Sequence, residues 1–390
     1  SIKEAVITIP AYFNDAQRTA TKDAARLAGL HRVRLINEPT AAAIYYAKQS
    51  KFEKGTVLIY DLGGGTFDVS IVEVSDNYAE TIATGGIRKM GGHFFDQLIV
   101  NYVTDYFEEK HNIDLYEDEN IDDLQELILK AENAKIQLSS IDKTDIILKI
   151  NSIKDKIMIT REGFEKRIEK FYLRTEAIIN MVLKDANMTF KDIDKILLVG
   201  GSSKIPYIRN RIKQVSGIEP SSDLNPDEAV ALGAAIFAST LSDDTENHMK
   251  VSDVCSHSLG IVTLANNTKK RVNSILIPRN SLIPISKSKV FYTAVPFQRS
   301  IDLEVTEGED TDLDYDTIIA NFQIALPDGL KERTPVNITF RLDENQLLHI
   351  YMRIDGVVPF EEECLFDRLV NKSEDQLSVS EALISNLEVF

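Results

Sequence analysis

The sequence predicts an α/β domain followed by an all-β sandwich, and three patterns along the chain support this order. Up to residue 241, apolar strand-like runs alternate with amphipathic helical segments, as they do in α/β domains. Residues 242–253 are polar and charged without helical or strand periodicity, which is typical of a linker. Residues 254–370 show short strands separated by Pro, Gly, Asn and Asp, as in β-sandwiches. Residues 371–390 are a polar tail or the start of a further segment.

Helical and strand periodicities place the elements of the first domain. Ala16, Ala20, Ala24 and Leu27 share one helical stripe, which predicts a helix there. The sequence predicts strands at Ala5–Ile9, Arg34–Ile36, Val57–Tyr60, Val69–Val74 and Lys195–Val199. It predicts helices at Asp15–Leu27, after Asn37, at Phe95–Lys110, Asp122–Leu138 and Arg161–Ala186, and two more, the last of them at Asn225–Leu241.

The second domain reads as a series of short strands. Alternating apolar and polar residues between turn-forming residues are typical of half-buried strands. The predicted strands are Leu259–Leu264, Ser274–Ile277, Lys289–Thr293, Ile301–Val305, Ile318–Ile324, Val336–Leu342 and Leu347–Arg353. One short helix is expected in the tail, at Ser380–Leu387.

Composition excludes several classes of partner. Asp and Glu number 61 against 44 Lys and Arg, giving a net charge of −17, which repels nucleic acid and anionic membrane surfaces. The longest apolar runs, such as Ile196–Val199, are far too short to span a bilayer. Cys255 and Cys364 have no metal-site or disulfide-framework spacing, and no secretory signal pattern is present. These features favour a cytoplasmic location.

A glycine-rich turn joins two of the predicted strands. The residues from Asp61 to Asp68 read Asp-Leu-Gly-Gly-Gly-Thr-Phe-Asp. Gly63, Gly64 and Gly65 would let backbone N–H groups approach phosphate oxygens closely, where a Cβ would interfere. Asp61 could then hold a magnesium-bound water, and the Thr66 hydroxyl could lie near a γ-phosphate. From these residues alone, an ordinary β-hairpin turn is an equally good interpretation.

A second turn follows the strand at Lys195–Val199. Gly200, Gly201 and Ser202 lie between that strand and a helix beginning near Pro206, and helix N-termini favour anions. This pattern is also an ordinary α/β connection, and on its own that interpretation is favoured. The turns at residues 90–92 and 225–227 are weaker signals of the same kind, and the sequence contains no Gly-x-x-x-x-Gly-Lys-Ser/Thr phosphate loop.

Two further sets of polar residues admit functional roles. Glu38 precedes a proline at the start of a helix, where it could orient an attacking water or cap the helix. Glu132 and Lys135 are three residues apart on a predicted helix and so share a face. For this second pair, a surface ion pair is the favoured interpretation.

Taken together, five segments of this chain resemble the signatures of the DnaK family, the seventy-kilodalton heat-shock chaperones. The resemblance runs from residue 1 to about residue 355 and is strongest before residue 241. These segments are Ala5–Arg18, Ile36–Ala43, Tyr60–Val69, Leu197–Pro206 and Asn225–Ala235.

The resemblance implies an incomplete actin-like ATPase domain joined to a β-sandwich that binds extended peptides. It implies binding of ATP or ADP, with Mg²⁺ held through water. By position, Asp61, Thr66 and Glu38 resemble the catalytic residues, while the residues around phosphate and adenosine match Gly63, Gly64, Gly65, Glu132, Lys135, Ser139, Gly200, Gly201, Ser202 and Asp227. The family's peptide channel matches Ile261, Leu264, Phe291, Ile301 and Leu303, for which plain sandwich core is the alternative. The implied partners are unfolded polypeptide, a J-domain co-chaperone and a nucleotide-exchange factor.

The chain departs from the family pattern at four places. The family's first phosphate loop and the lysine after it have no counterpart, so the chain alone is expected to hydrolyse ATP poorly. Lys250 interrupts the apolar linker and would cost free energy if it were desolvated. His93 stands where the family usually has an acidic residue, and Ile136 and Lys204 replace typical basic or arginine positions. Fourth, the segment after Arg368 is too short for the family's helical lid.

Two other functions remain open at this point. The chain could be a peptide-binding or scaffold protein that keeps the fold without hydrolysing ATP, and Lys250, His93 and the missing first loop favour that hypothesis. It could also be an actin-fold small-molecule kinase, which shares a similar phosphate loop. The predicted β-sandwich after residue 253 argues against a kinase, since such an enzyme has no use for a peptide channel.

Overall fold

The computed structural model describes residues 2–50, 52–150, 152–221, 225–241, 249–265, 270–354, 360–364 and 376–380. Its long helices are α1 (Asp15–Leu27), α2 (Glu38–Ser50), α3 (Gly92–His111), α4 (Ile121–Leu138), α5 (Arg161–Asp185), α6 (Pro206–Ser216) and α7 (Ala229–Thr240). The strands of the first part of the chain are β1 (Glu4–Ile9), β2 (Arg32–Asn37), β3 (Lys54–Leu62), β4 (Phe67–Ser75), β5 (Tyr78–Ile87), β6 (Lys143–Ile150), β7 (Ile153–Thr160) and β8 (Lys195–Val199). Those that follow are β9 (Lys250–Ser252), β10 (Leu259–Leu264), β11 (Arg271–Ile277), β12 (Ile285–Tyr292), β13 (Ser300–Glu307), β14 (Thr317–Ala325), β15 (Pro335–Leu342), β16 (Leu348–Ile354) and β17 (Phe360–Cys364).

Most predicted elements are present, and five strands were missed. The bounds predicted for α1, β8 and β10 agree with the structure, and the other predicted helices and strands differ mainly at their ends. No strand was predicted for β5, β6, β7, β9 or β17, and β9 lies within the predicted linker. Residues 376–380 are helical, whereas most of the predicted tail helix and residues 242–248 of the predicted linker lie outside the described residues.

Local chemistry explains where α1 begins. The Asn14 side chain accepts a hydrogen bond from the backbone N–H of Gln17, and the Gln17 side chain accepts one from the backbone N–H of Asn14. This reciprocal capping box satisfies two N–H groups that the first helical turn leaves without partners. The helix therefore begins at Asp15, as the sequence pattern predicts.

Contacts divide the chain into two compact units. Unit 1 comprises residues 1–40, 79–82 and 234–390, and unit 2 comprises residues 41–78 and 83–233. The first 40 residues thus group with the C-terminal strands. The boundaries of the two units therefore do not coincide with the predicted linker at residues 242–253.

Unit 2 is built on a mixed sheet with helices. Strands β8, β3, β4 and β5 are adjacent in that order; β3 runs antiparallel to β4 and parallel to β8. The central strand β3 is buried from Val57 to Leu62, as expected for a strand covered on both faces. A separate antiparallel pair, β6 and β7, packs beside α4.

Among the described residues, three sheets lie wholly within unit 1. Strands β1 and β2 form a short parallel pair from Glu4↔Arg32 to Ile9↔Asn37. The later strands form two four-stranded antiparallel sheets, ordered β11–β10–β13–β14 and β12–β15–β16–β17. Buried side chains from both sheets, including Leu303 and Phe340, belong to one continuous apolar core.

Asp253 is a buried polar centre of unit 1. One of its carboxylate oxygens accepts hydrogen bonds from the Thr40 hydroxyl at 2.8 Å and the Thr81 hydroxyl at 2.6 Å. Four residues earlier Met249 is buried, while Lys250 is exposed. Because Lys250 remains in solvent here, this arrangement does not impose the desolvation cost that the sequence analysis expected.

We expect Gly233→Ala to destabilise unit 2, because a Cβ at this position of α7 would overlap the backbone carbonyl of Ala41. A backbone neighbour cannot move aside as a flexible side chain can, so the loss should be about 2 kcal/mol or more. Thermal unfolding followed by circular dichroism measures it. Ser239→Ala, at an exposed position of the same helix, is the control, and an equal unfolding midpoint for both variants would contradict the prediction.

Candidate functional site

The glycine turn of the β3–β4 hairpin is the centre of the candidate site. Pairing extends to Leu62↔Phe67, so residues 63–66 form the turn, closed by a hydrogen bond from the Gly63 N–H to the Thr66 carbonyl at 3.2 Å. Asp61 and Asp68 face each other at the base of the turn and are buried. Gly64 and Gly65 are exposed, so a ligand has access to the tip of the hairpin.

A second turn, residues 90–93, hydrogen-bonds to the first. The carbonyls of Gly63, Gly64 and Gly65 accept from the N–H groups of residues 92, 93 and 90 at 2.9, 2.8 and 3.0 Å. In a planar trans peptide the carbonyl and the following N–H point in opposite directions. The N–H groups of Gly64, Gly65 and Thr66 therefore point away from the second turn. Successive backbone N–H groups of this kind bind anions such as phosphate.

The two turns approach so closely that only glycine fits between them. A Cβ on Gly91 would lie 2.6 Å from the Gly64 carbonyl carbon and 2.7 Å from the Gly65 nitrogen. A Cβ on Gly92 would lie 2.6 Å from the Ser202 Oγ. The glycines therefore permit direct backbone packing between the turns.

The turn after β8 completes this cluster. Gly200 has a φ of +81°, and a Cβ there would lie 2.5 Å from the Leu62 carbonyl oxygen and 2.8 Å from the Asp61 Oδ1. The Ser202 hydroxyl donates to the Gly63 carbonyl at 2.9 Å. Three glycine turns that are distant in sequence thus meet at one point of unit 2.

Lys135 of α4 contacts the place where these turns meet. Its ammonium group lies 2.7 Å from the Asp96 carboxylate of α3 and donates to the Gly92 carbonyl at 3.2 Å, and both charged side chains are almost fully buried. Burial raises the pKa of Asp96, and the Lys135 charge partly opposes that shift. The favoured sequence interpretation, a surface ion pair with Glu132, is therefore wrong for Lys135. Glu132 is exposed on the same helix, and Ser139 caps its C-terminal end.

The turn at residues 200–201 also lies close to Asp227. The Gly200 N–H donates to the Pro226 carbonyl at 3.3 Å, and a Cβ on Gly201 would lie 3.8 Å from the Asp227 Oδ1. Asp227 pairs with the Lys204 ammonium at 2.5 Å, with both side chains about half exposed. Gly200, Gly201, Ser202 and Asp227 are therefore near one another.

Glu38 belongs to unit 1, at the first residue of α2. Burial raises the pKa of its carboxyl to about 7. A carboxyl with a pKa in this range can accept or release a proton near neutral pH, as general acid–base catalysis requires.

The five apolar residues assigned to a peptide channel differ in accessibility. Ile261 and Leu303 are each only 2 % exposed and belong to the core that the two sheets share. Phe291 and Ile301 are partly buried against that core, whereas Leu264 is 60 % exposed. In this arrangement a ligand can reach Leu264, Phe291 and Ile301, while Ile261 and Leu303 act as core.

Sequence reasoning missed Asp96 and the packing role of Gly91. A signal for Asp96 was present, because it falls on the same helical stripe as Phe95, Ile99 and Val103, all of which are buried. A carboxylate on a buried stripe requires a partner. No comparable signal identifies Gly91, since its role depends on contacts with a turn 26 residues earlier in the chain.

The chain is similar to known proteins over most of its length. The family model described as Hsp70 protein matches residues 1–363. The chain is 40% identical over 356 residues to the chloroplastic heat shock 70 kDa protein 7 of Arabidopsis thaliana, covering 90% of this chain and 48% of that protein. It is 41% identical over 356 residues to the chaperone protein DnaK of Thermosipho melanesiensis, covering 90% of this chain and 59% of that protein. The chain thus spans about half the length of these relatives.

We expect Gly91→Ala and Gly65→Ala to affect different properties. The Gly91 Cβ would strike the backbone of the facing turn, so the unfolding midpoint should fall. No atom lies within 4 Å of a Cβ on Gly65, so Gly65→Ala should leave stability nearly unchanged. Its methyl group would stand beside the N–H donors and weaken ADP binding on the order of tenfold, as expected for losing one hydrogen bond to a charged group. Thermal unfolding and ADP titration measure the two effects; unchanged ADP affinity in Gly65→Ala would contradict the assignment.

The raised pKa of Glu38 predicts a pH-dependent stability. Between pH 4.5 and about 7 the folded protein binds more protons than the unfolded chain, so stability falls as the pH rises through this range. Glu38→Gln removes this cost and should stabilise the protein by roughly 2–3 kcal/mol at pH 8, with little effect at pH 4. Unfolding midpoints of both proteins across this range test it. Glu332→Gln, at an exposed position, is the control, and a stabilisation independent of pH would contradict the burial effect.

Proposed function

Because the chain belongs to the Hsp70 family, we propose that it acts as a DnaK-like molecular chaperone that binds ATP or ADP and extended, unfolded polypeptide. The mixed sheet and helices of its first part are those of the family's actin-like ATPase domain. The observation that carries the nucleotide half of this proposal is the set of N–H groups at Gly64, Gly65 and Thr66, which face away from the turn at residues 90–93.

We propose that the residues around this loop contribute to nucleotide binding in different ways. The N–H groups of the loop hold phosphate oxygens, and Gly200, Gly201, Ser202 and Asp227 form one wall of the nucleotide site. Lys135 supports the loop through Asp96 and the Gly92 carbonyl, which makes it a positioning residue. Glu132 and Ser139 are the candidates on α4 for contacts with the nucleoside.

For hydrolysis, we propose roles for three residues. Glu38 is the candidate general base, and its pKa of about 7 suits it to accept a proton. The Thr66 hydroxyl contacts the terminal phosphate. Asp61 is buried at the end of β3, and its carboxylate is suited to hold water bound to Mg²⁺; that ion would neutralise phosphate charge.

We propose that the two antiparallel sheets of unit 1 form a β-sandwich with a peptide-binding site. Loops can hydrogen-bond an extended backbone while an apolar pocket accepts an aliphatic side chain. Leu264, Phe291 and Ile301 are the accessible members of the predicted channel, so they are the first contacts for a peptide. A J-domain co-chaperone and a nucleotide-exchange factor are the further partners that this function requires.

The helices of the described residues include none with the length and apolar character of a membrane span. The titration of ADP into Gly65→Ala tests the nucleotide half of the proposal, and a peptide titration tests the other half.

We expect Ile301→Asp to weaken binding of a leucine-rich peptide on the order of tenfold or more, because a carboxylate in an apolar pocket has no partner. Fluorescence polarisation of a labelled peptide measures the affinity. Asp302→Asn is the matched control, since Asp302 is the adjacent residue of β13, is exposed and points to the opposite face of the sheet. Ile301→Ala keeps the test informative if Ile301→Asp unfolds. Equal peptide affinity of Ile301→Ala, Asp302→Asn and the unsubstituted protein would refute this channel.

A further inference from the structure

His93 lies against the glycine turn of the β3–β4 hairpin. It is the second residue of α3, and its side chain is 77 % exposed. Its Nε2, Cδ2 and Cε1 atoms lie 3.3, 3.6 and 3.8 Å from the position of a Cβ on Gly64. Its backbone N–H donates to the Gly64 carbonyl at 2.8 Å. The backbone hydrogen bond therefore places the imidazole beside the middle glycine of the turn.

The two ring nitrogens of His93 face different groups. Nδ1 lies 3.9 Å from a carboxylate oxygen of Asp96, while Nε2 is the ring atom nearest to Gly64. Asp96 is shared with Lys135, and Glu132 is the other charged group that interacts with Asp96. Asp96 therefore favours a proton on Nδ1, and Nε2 is directed towards the loop.

We propose that His93 is a further phosphate-binding residue of this site, which contacts an oxygen of the phosphate group held by the loop. This inference rests on the proposed nucleotide function and adds a residue to it. A histidine with Nδ1 near a carboxylate can present an Nε2–H donor to a phosphate oxygen, and the protonated ring adds a charge-assisted interaction. Because the side chain is exposed, rotation about its bonds brings Nε2 towards the ligand without repacking the core.

The start of α3 also favours a bound anion beside His93, because a helix N-terminus carries partial positive charge.

The test is calorimetric titration of ADP, with adenosine as the ligand lacking phosphate, at pH 6 and pH 8 and constant Mg²⁺. Histidine changes its charge across this range. The unsubstituted protein should bind ADP about two- to fivefold more tightly than His93→Gln at pH 6, and the difference should shrink at pH 8. His93→Glu should bind ADP more weakly than His93→Gln at pH 8. Adenosine affinity should be the same for all three proteins.

The comparison with His93→Gln removes the pH dependence that arises from protonation of ADP itself. His31→Gln, at an exposed histidine of unit 1, is the matched control and should leave ADP binding unchanged at both pH values. If the protein and His93→Gln bind ADP equally at both pH values, His93 is not a phosphate contact, although the nucleotide function stands. If neither binds ADP, the nucleotide function itself is refuted and this role with it.

Discussion

The direct packing of the Gly91 backbone on the backbone of Gly64 and Gly65 is the contact on which the candidate site depends. In this packing the carbonyls of residues 63–65 accept hydrogen bonds from the turn at residues 90–93. Because peptide groups are planar and trans, the N–H groups of residues 64–66 then point away from that turn. A Cβ at Gly91 would separate the turns and release those carbonyls. The direction of the donors is therefore set by a contact between two short segments, each of which alone is an ordinary turn.

The buried pair of Lys135 and Asp96 maintains this contact from behind. Burying two charges gives little net stability, but removing one partner leaves an uncompensated charge that destabilises a protein by about 3–5 kcal/mol. The pair therefore acts less as a source of stability than as a constraint on position. Lys135 of α4 contacts both Asp96 of α3 and the Gly92 carbonyl, so the pair links these two helices to the turn at residues 90–93.

Local signals explain which elements could be predicted from the sequence. The capping box of α1 and the apolar alternation of β10 lie within single segments, and their bounds agree with the structure. The hairpin of β6 and β7 also alternates, with Ile146, Leu148 and Ile150 buried, so its signal was present and was overlooked. Strand β5 differs, because its two glycines suggest a turn, whereas a Cβ on Gly85 would lie 2.8 Å from a methyl group of Val182 in α5. The glycine motifs of the site could be identified from the sequence. The partner of Lys135 and the role of Gly91 could not, because both depend on tertiary contacts.

The exposed fraction of each side chain changes the interpretation of the predicted peptide channel and of the linker. Peptide binding that used Ile261 or Leu303 would require the two sheets to open a core in which both are fully packed, whereas contacts with Leu264, Phe291 and Ile301 require no such opening. The accessible residues are therefore the part of the proposed channel that a ligand can reach in this structure. In the linker region Met249 is buried and Lys250 is exposed, so the apolar residue leaves water and the charged residue stays in it. The interruption by Lys250 is thus compatible with burial of its neighbour Met249.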